Sequence, residues 1–510
     1  MLVTAAASIQ SYLLTPDILW LILLISSIIF TYTCLIYPVF HGPLHHVPGP
    51  WYAKVSSLPL ALYDILCCRN DIIIDWHRQY GPIILISPDE VSVADIKATR
   101  DIYRATDQWC KSNYFDHFKG YGMRSVFATK PYEDHRKKRK YTSVFYQAST
   151  VYKLPEIEQY ITARSLSVLN QVCVDQEVDV YRLTSWYAFD NITFLVLGPN
   201  FSTRSIDHSC PERNILEGLK YQQFVGPFRY RYPQMYRCIT QVFQALSPRF
   251  DYLSADIDFE IWCQQRLNKA LQDPGIYNSH SLVRHLLELK DKDIDMQYIA
   301  AEVLDNINAA EATVAVTATY LIWKLTETPR WQRIIRQELM DLTKQSDKTL
   351  SFADIDSQVP SLEACLREVY RLYPASSGRA ERMVPTGGRN LLGVHLPENT
   401  TVTTSVLALH QDMEVYPNPS SFAPERWLEG GKDLLKAREA QLMPFGYGGR
   451  ICLGKALATM EIKVLIATLY LEHESLVTKV TNAASMAQCS THDAVPKALK
   501  CVVKFRKVIS

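Results

Sequence analysis

Phe445-Gly446-Tyr447-Gly448-Gly449-Arg450-Ile451-Cys452-Leu453-Gly454 is the stretch on which the reading of this chain turns. One cysteine is surrounded by glycines, an arginine stands two residues before it, and a helical pattern, Lys455 to Tyr470, follows at once. A thiolate that binds a metal needs a lowered pKa and a dry pocket lined with donors. Glycines let backbone N–H groups come close to the sulfur. A helix beginning just after Cys452 places the positive end of its dipole beside it. A lone cysteine is more often a small buried hydrophobe. The spacing of Phe445, Gly448, Arg450, Cys452 and Gly454 argues against that reading here.

Two nucleotide readings of the same residues fail. Gly449 to Lys455 has the form G-x-x-x-x-G-K, but Ala456 follows where a phosphate-binding loop needs a hydroxyl for Mg²⁺. Gly446 and Gly448 begin a dinucleotide fingerprint whose third glycine position holds Ile451. Neither motif follows a strand-like apolar run, since Gln441-Leu442-Met443-Pro444 is short and ends in proline.

Working outward, the 510 residues suffice for one large domain, and 47% hydrophobic with 21% charged residues predicts a packed core. A net charge of +1 gives no reason to expect nucleic acid as a partner. The 12 cysteines include no C-x-x-C pair, although Cys67 and Cys68 are adjacent. That scatter is neither a zinc array nor a disulfide framework, and it suits a reducing compartment. Ile18 to Tyr37 is free of charge, proline and glycine. As a helix it would span about 30 Å, the hydrocarbon thickness of a bilayer. Trp20, Tyr32 and Tyr37 suit the membrane interface. No Lys or Arg precedes Lys54 and no small-residue cleavage site closes the run, so a retained anchor is preferred to a signal peptide. The expected organisation is a short segment 1–17, an anchor 18–37, a proline-rich linker 38–60 and one domain, 61–510. The linker, with Pro43, Pro48, Pro50 and Pro59, is expected to be extended rather than helical. Its His41, His45 and His46 read as a solvated cluster.

Short strands are expected between Pro82 and Val93, helices from about Asp95 to Thr349, and a small sheet from Met383 to Thr404. The longest helical pattern, Asp291 to Thr328, ends at Pro329 and would run about 57 Å. Its middle, Asn308-Ala309-Ala310-Glu311-Ala312-Thr313, places a glutamate and a threonine among alanines. A buried carboxylate there needs a partner or a task. Downstream, Glu368 and Arg371 stand i, i+3 on a helix expected to be capped by Ser361 and stopped by Pro374. Taken alone, that pair reads as a surface ion pair.

The loop pattern F-x-x-G-x-R-x-C-x-G resembles the haem-binding loop of the cytochrome P-450 family. Glu368 and Arg371 resemble that family's E-x-x-R, and Pro424-Glu425-Arg426-Trp427 resembles its P-E-R-W segment, all in the family's order. The resemblance covers roughly residues 40 to 510. It implies a mainly α fold, a large helical haem domain with a small β portion tethered by an N-terminal transmembrane helix. It implies haem b ligated by the Cys452 thiolate, which pushes electron density towards the iron to favour O–O cleavage. Glu368, Arg371 and Arg426 would form a buried triad holding the cysteine loop, with Pro48-Gly49-Pro50 as the hinge to the membrane. Arg450, Arg382 and Arg139 would meet the haem propionates, with His135 where the family's W-x-x-x-R usually has tryptophan, and with Phe445 in the loop. Arg136, Lys137, Lys138 and Lys140 would remain for an acidic partner.

The implied reaction is monooxygenation of an apolar small molecule with O₂ and electrons from NADPH. A membrane-bound flavoprotein reductase would deliver them, since the chain has no flavin or nicotinamide segment of its own. The overall pattern looks most like fungal membrane-bound members that tailor terpenoid or polyketide metabolites, with the catalytic domain on the cytosolic side of the endoplasmic reticulum. A haem-thiolate isomerase or dehydratase, or a membrane-anchored haem sensor, stays open beside it. The family's usual acid–threonine pair puts Thr313 on the threonine and Ala312 on the acid, leaving Glu311 displaced by one residue. Sliding the register by one would make Glu311 the acid and Ala312 the missing threonine. The aromatic and arginine-rich run Tyr221 to Arg237 reads either as a surface that dips into the membrane interface or as a packed loop with exposed arginines.

Overall fold

The computed structural model describes residues 16–104, 109–172, 174–289, 294–345, 350–377 and 379–508. Its axis is the helix Met296–Glu327, whose N-cap Asp295 accepts from Tyr298 N at 2.7 Å. The expected start at Asp291 lies outside the described residues. Thr328 ends this central helix, and Pro329 opens the next, Pro329–Gln345, because proline tolerates only the first turn. The helix Val180–Leu197 lies along it, with every side chain buried except Arg182 and Trp186, as a helix apolar on nearly all sides must be. The helix Lys455–Glu472 behind the cysteine loop, Pro360–Leu372 and Ala255–Gln272 also pack on the central helix. Together they make one continuous apolar core.

The β portion is small and lies to one side. Strands run in the order Ile83–Ser87, Glu90–Val93, Thr401–Thr404, Arg382–Met383, Cys110–Lys111. Glu90–Val93 and Thr401–Thr404 pair in parallel, the rest antiparallel. The edge pairing sets Lys111 directly opposite Arg382, a juxtaposition that matters for the site. Glu177–Asp179, Val502–Lys507 and His473–Leu476 form a second sheet, and Arg389–Leu391 with Val394–Leu396 a hairpin.

The N-terminal helix runs from Pro16 to Phe40 with a π-helical turn at Tyr32–Ile36, and at 25 residues it is long and apolar enough to cross a membrane. Of the segment 1–17, only Pro16 and Asp17 are described.

The linker differs from the extended form expected. Trp51–Val55 and Leu58–Ile65 are helical, and Leu44 and Val47 are buried in the sheet's own apolar cluster. Proline at the first helical positions, as at Pro59, starts a helix rather than breaking it. Pro48 O accepts from Leu85 N at 2.7 Å. Gly49, at φ +153°, leaves no room for a side chain, since a Cβ would meet Leu85 O at 2.5 Å. The linker is thus fastened to the sheet. His41, His45 and His46 are exposed, and His45 and His46 bond to the backbone carbonyls of Gly42 and His395.

Tyr221 to Arg237 is also not a loop. It forms the end of Pro211–Gln222, then Gly226–Arg231 and the start of Pro233–Leu246. Arg229 and Arg231 are paired with Asp256 and Asp64.

Candidate active site

The cysteine loop is shaped by its glycines. Gly446 and Gly448 take φ +74° and +71°, conformations other residues adopt at a cost. At Gly448 a Cβ would also collide with the backbone of Tyr103. The loop then closes on itself, Cys452 N donating to Phe445 O at 2.9 Å. The Cys452 side chain is exposed on one side, yet the surrounding protein is dense enough that desolvation pushes its thiol up. Backbone N–H groups of Gly454 and Lys455, the Arg139 charge and the Lys455 charge pull the other way. A sulfur met by N–H donors from a helix start and by nearby positive charge is prepared for a metal. Phe445 packs edge-on against Tyr370, centroids 5.1 Å apart, and beneath Lys455.

A polar scaffold supports this loop. Arg371 grips Glu368 with two bonds, 3.0 and 2.7 Å, and Arg426 adds a third at 3.0 Å, all three residues being buried. The Trp427 indole N–H and the Ala423 N–H also donate to Glu368, at 2.9 and 3.1 Å. The carboxylate is therefore saturated, the condition under which a buried ion cluster is tolerated. Arg371 reaches on to the carbonyls of His410, Pro419 and Ser421.

His410 completes the connection. Its Nδ1 meets Arg371 O at 3.1 Å and its Nε2 accepts from Met443 N at 3.1 Å, two residues before Phe445. Burial pushes its pKa down to about 3, so the ring is neutral with its proton on Nδ1. The sequence reading missed His410, because a lone histidine carries no pattern. It also placed Ser361 at the helix cap. Val359 is the N-cap, while Ser361 donates to Glu338 at 2.7 Å.

Cations gather beside the loop. Arg450 donates to the carbonyls of Thr129 and Lys130 at 2.7 and 2.8 Å. Arg382 bonds to the carbonyls of Ala380 and Glu381 and lies 4.7 Å from the Tyr103 ring centroid. The sheet adds Lys111, a cation the sequence reading did not single out, seated over the rings of Phe115 and Phe127. Burial lowers the Arg450 pKa to about 9, with Arg382 the next cause. Burial, then Arg382 and Arg450, holds Lys111 well below the usual range. His135, buried at the same place, is pushed down to about 2 by desolvation and then by Arg450, Lys111, Arg139 and Arg382. The carboxylates bearing on this cluster, Asp305 on Lys111 and Glu381 on Arg382, leave it with excess positive charge. Such a set of donors fits an anionic group, and beside the Cys452 sulfur it fits a haem with its propionates.

The basic run is divided by its helix, Tyr132–Ser143. Arg136, Lys137 and Lys140 are exposed. Lys138, expected among them, turns inward to the Arg124 carbonyl at 2.5 Å and the Thr129 hydroxyl at 3.1 Å.

On the central helix, Asp305, Ala309 and Thr313 recur at i, i+4, i+8 and share one face. Asn308 and Ala309 are exposed where most of the helix is buried. Thr313 is half-buried, its hydroxyl bonded to Ala309 O at 2.8 Å. Glu311 points elsewhere: it is buried, accepts from Ser185 on the neighbouring helix, and feels Lys220. Burial raises its pKa to about 7. Asp305 is raised to about 7 by burial and then by Glu302. Neither Asp305 nor Glu302 was noticed in the sequence, where the spacing from Asp305 to Thr313 was the available signal.

Comparison with known proteins agrees with this geometry. The family model for cytochrome P450 matches residues 68–487. A cytochrome P450 monooxygenase of Gibberella zeae, FGM1, is 36% identical over 471 residues, covering 91% of this chain and 92% of that one. Cytochrome P450 monooxygenases of Aspergillus niger and Aspergillus terreus are 26% and 27% identical, covering 86% and 84% of this chain and 88% and 90% of theirs. The chain belongs to the cytochrome P450 family. It is by that membership a haem-thiolate monooxygenase, with haem b on a cysteine thiolate as its cofactor.

Proposed function

We propose that this chain is a membrane-anchored monooxygenase that hydroxylates or otherwise oxidises an apolar small molecule of the terpenoid or polyketide type. Electrons would come from NADPH through a flavoprotein reductase. The reading rests on the glycine-shaped Cys452 loop at the start of the helix Lys455–Glu472, with the charge of Arg139 and the Gly454 and Lys455 N–H groups bearing on the thiol and the cation cluster beside it. Cys452 would hold the iron, and Arg450, Arg382, Arg139 and Lys111 the propionates, with neutral His135 as a hydrogen-bonding neighbour. The bound haem supplies O₂ activation and the oxidising power. The chain's own residues position the substrate, exclude bulk water and move protons.

Thr313, one turn from the exposed Ala309 on the same face of the central helix, would hold a water or a proton there. Ala312 offers no acid, and water can stand in for one. Glu311, with its pKa near neutrality, can take or give a proton at physiological pH, but from the Ser185 and Lys220 side. The exposed Arg136, Lys137 and Lys140 support docking of an acidic reductase. The anchor helix supports a single pass through the endoplasmic reticulum membrane, with residues 41–60 fastened to a cytosolic body. The substrate class rests on resemblance to fungal relatives. The test is to incubate the membrane fraction with candidate metabolites, with and without NADPH, and to identify products by mass spectrometry. Products gaining one oxygen only with NADPH support the reading. Conversion without NADPH would favour an isomerase or dehydratase.

A further inference from the structure

Cys67 and Cys489 lie far apart in sequence and meet in space. Cys67 ends the turn after the helix Leu58–Ile65, at φ +57°, the left-handed region that a non-glycine residue seldom occupies. Cys489 is buried in the C-terminal loop, and Cys67 packs against the apolar cluster that contains it. The backbones are tied: Ser490 N donates to Cys67 O at 3.1 Å, and Asn70 N donates to Ser490 Oγ at 3.0 Å. A disulfide needs Cα atoms about 4.4–6.8 Å apart with side chains that converge. Here the Ser490 N to Cys67 O bond joins the two segments one residue from Cys489, and the two thiols are near enough to influence each other. Both are free thiols.

The three residues after Cys489 tie the pair to a cleft. Ser490, Thr491 and His492 form one wall of a small cleft of about 40 Å³, whose other walls carry Asp64, Tyr114, Arg231 and Arg379. His492 bonds to the Tyr114 hydroxyl at 3.1 Å and packs at a tilt against Phe118, centroids 4.6 Å apart. Asp64 holds Arg231 of the helix Gly226–Arg231 and Arg379, so three separate segments converge on this cleft. A covalent bond at its edge would fix the C-terminal loop to the helix Leu58–Ile65.

We infer that Cys67 and Cys489 form a reversible redox pair, closing under hydrogen peroxide into a disulfide that clamps this wall and slows turnover. In the first step the Cys67 thiolate attacks one peroxide oxygen, breaking the O–O bond and leaving Cys67 as a sulfenic acid with release of water. In the second, the Cys489 sulfur attacks that of Cys67, the S–S bond forms and a second water leaves. Two thiols lose two electrons and two protons, and one peroxide becomes two waters. Peroxide is at hand, because a monooxygenase that reduces O₂ without oxidising substrate releases it. Cys67 is the better nucleophile of the two, since the hydrogen bond from Cys489 lowers its pKa while Cys489 itself is held up. A cytosolic glutathione pool would reopen the bond, so the pair acts as a switch rather than a permanent brace.

The test uses the full-length haem-loaded protein in detergent, treated with stoichiometric hydrogen peroxide and monitored by its haem absorbance to exclude damage at Cys452. After trypsin, Cys67 and Cys68 fall on one peptide and Cys489 on another. The expected result is a cross-link between these peptides that persists in Cys68→Ser and is lost in Cys67→Ser and Cys489→Ser. Turnover should fall several-fold on oxidation and return with dithiothreitol, with no such fall in Cys489→Ser. A Cys67–Cys68 bond, or thiols left free, overturns the pairing. A Cys67–Cys489 bond that leaves turnover unchanged overturns the clamp.

Discussion

The scaffold behind the Cys452 loop and the middle of the central helix are built by opposite rules. On the cysteine side, charge is neutralised locally. Glu368 receives five bonds from Arg371, Arg426, Trp427 and Ala423, and His410 uses both ring nitrogens. On the central-helix side, carboxyls are buried with incomplete compensation, so that Glu311 and Asp305 titrate near neutrality. A saturated network is rigid, because every displacement breaks a bond in low dielectric. A carboxyl poised near neutrality can change its protonation state in place. On the proposed reading, the first would hold the ligand loop still and the second would handle protons.

Removing the carboxylate at the centre of the rigid side should have the largest effect. Glu368→Ala leaves two buried guanidinium groups unpaired, a loss of about 3–5 kcal/mol. The variant should yield little or no haem-loaded protein, measured as haem per chain after purification. Normal haem content would break the comparison at its strongest point.

His410 gives a smaller effect with a distinctive pH dependence. The folded ring has a pKa of about 3, and the unfolded one titrates at about 6.5. Between those values the unfolded chain binds a proton that the folded chain excludes. The contribution is therefore complete above about pH 6.5 and is lost as pH falls, by up to about 1.4 kcal/mol per pH unit. Buried His77 and His492, each lowered to about 4, add in the same direction, so the readout is the difference between variants. Unfolding of His410→Asn between pH 7 and pH 5 should show a shallower fall than the parent. Parallel curves would show that His410 is charged or solvated in the folded state.

The smallest effects are expected on the proton-handling side. Thr313→Ala should bind substrate normally but divert reducing equivalents to peroxide, and Glu311→Ala should do so more mildly. The ratio of product to NADPH consumed measures both. In the parent this ratio should change across about pH 7, and Glu311→Gln should flatten it. If neither change moves the ratio, protons reach the pocket by another route.

Legibility in the sequence divides along the same line. The cysteine loop could be read because metal ligation by a thiolate demands glycines, a donor and a helix start within ten residues. The E-x-x-R pair and Arg426 could be read only through their order along the chain, because Glu368 and Arg371 alone look like a surface pair. Lys111 was hidden because strand pairing, which no local pattern reports, sets it opposite Arg382. Lys138 was misjudged because membership of a basic run says nothing about which face of a helix is buried. The linker was misread because proline marks a helix start as readily as an extended segment. Glu311 was noticed, but its partners Ser185 and Lys220 stand on two other helices and needed the packing to be seen.

The central claim is that Cys452 is the haem ligand. The most direct measurement is the absorption spectrum of the reduced, CO-bound protein, taken for the parent and for Cys452→Ala. The parent should show the red-shifted Soret band of a thiolate-ligated haem, and the alanine variant should lose it. A variant that keeps that band would contradict the account.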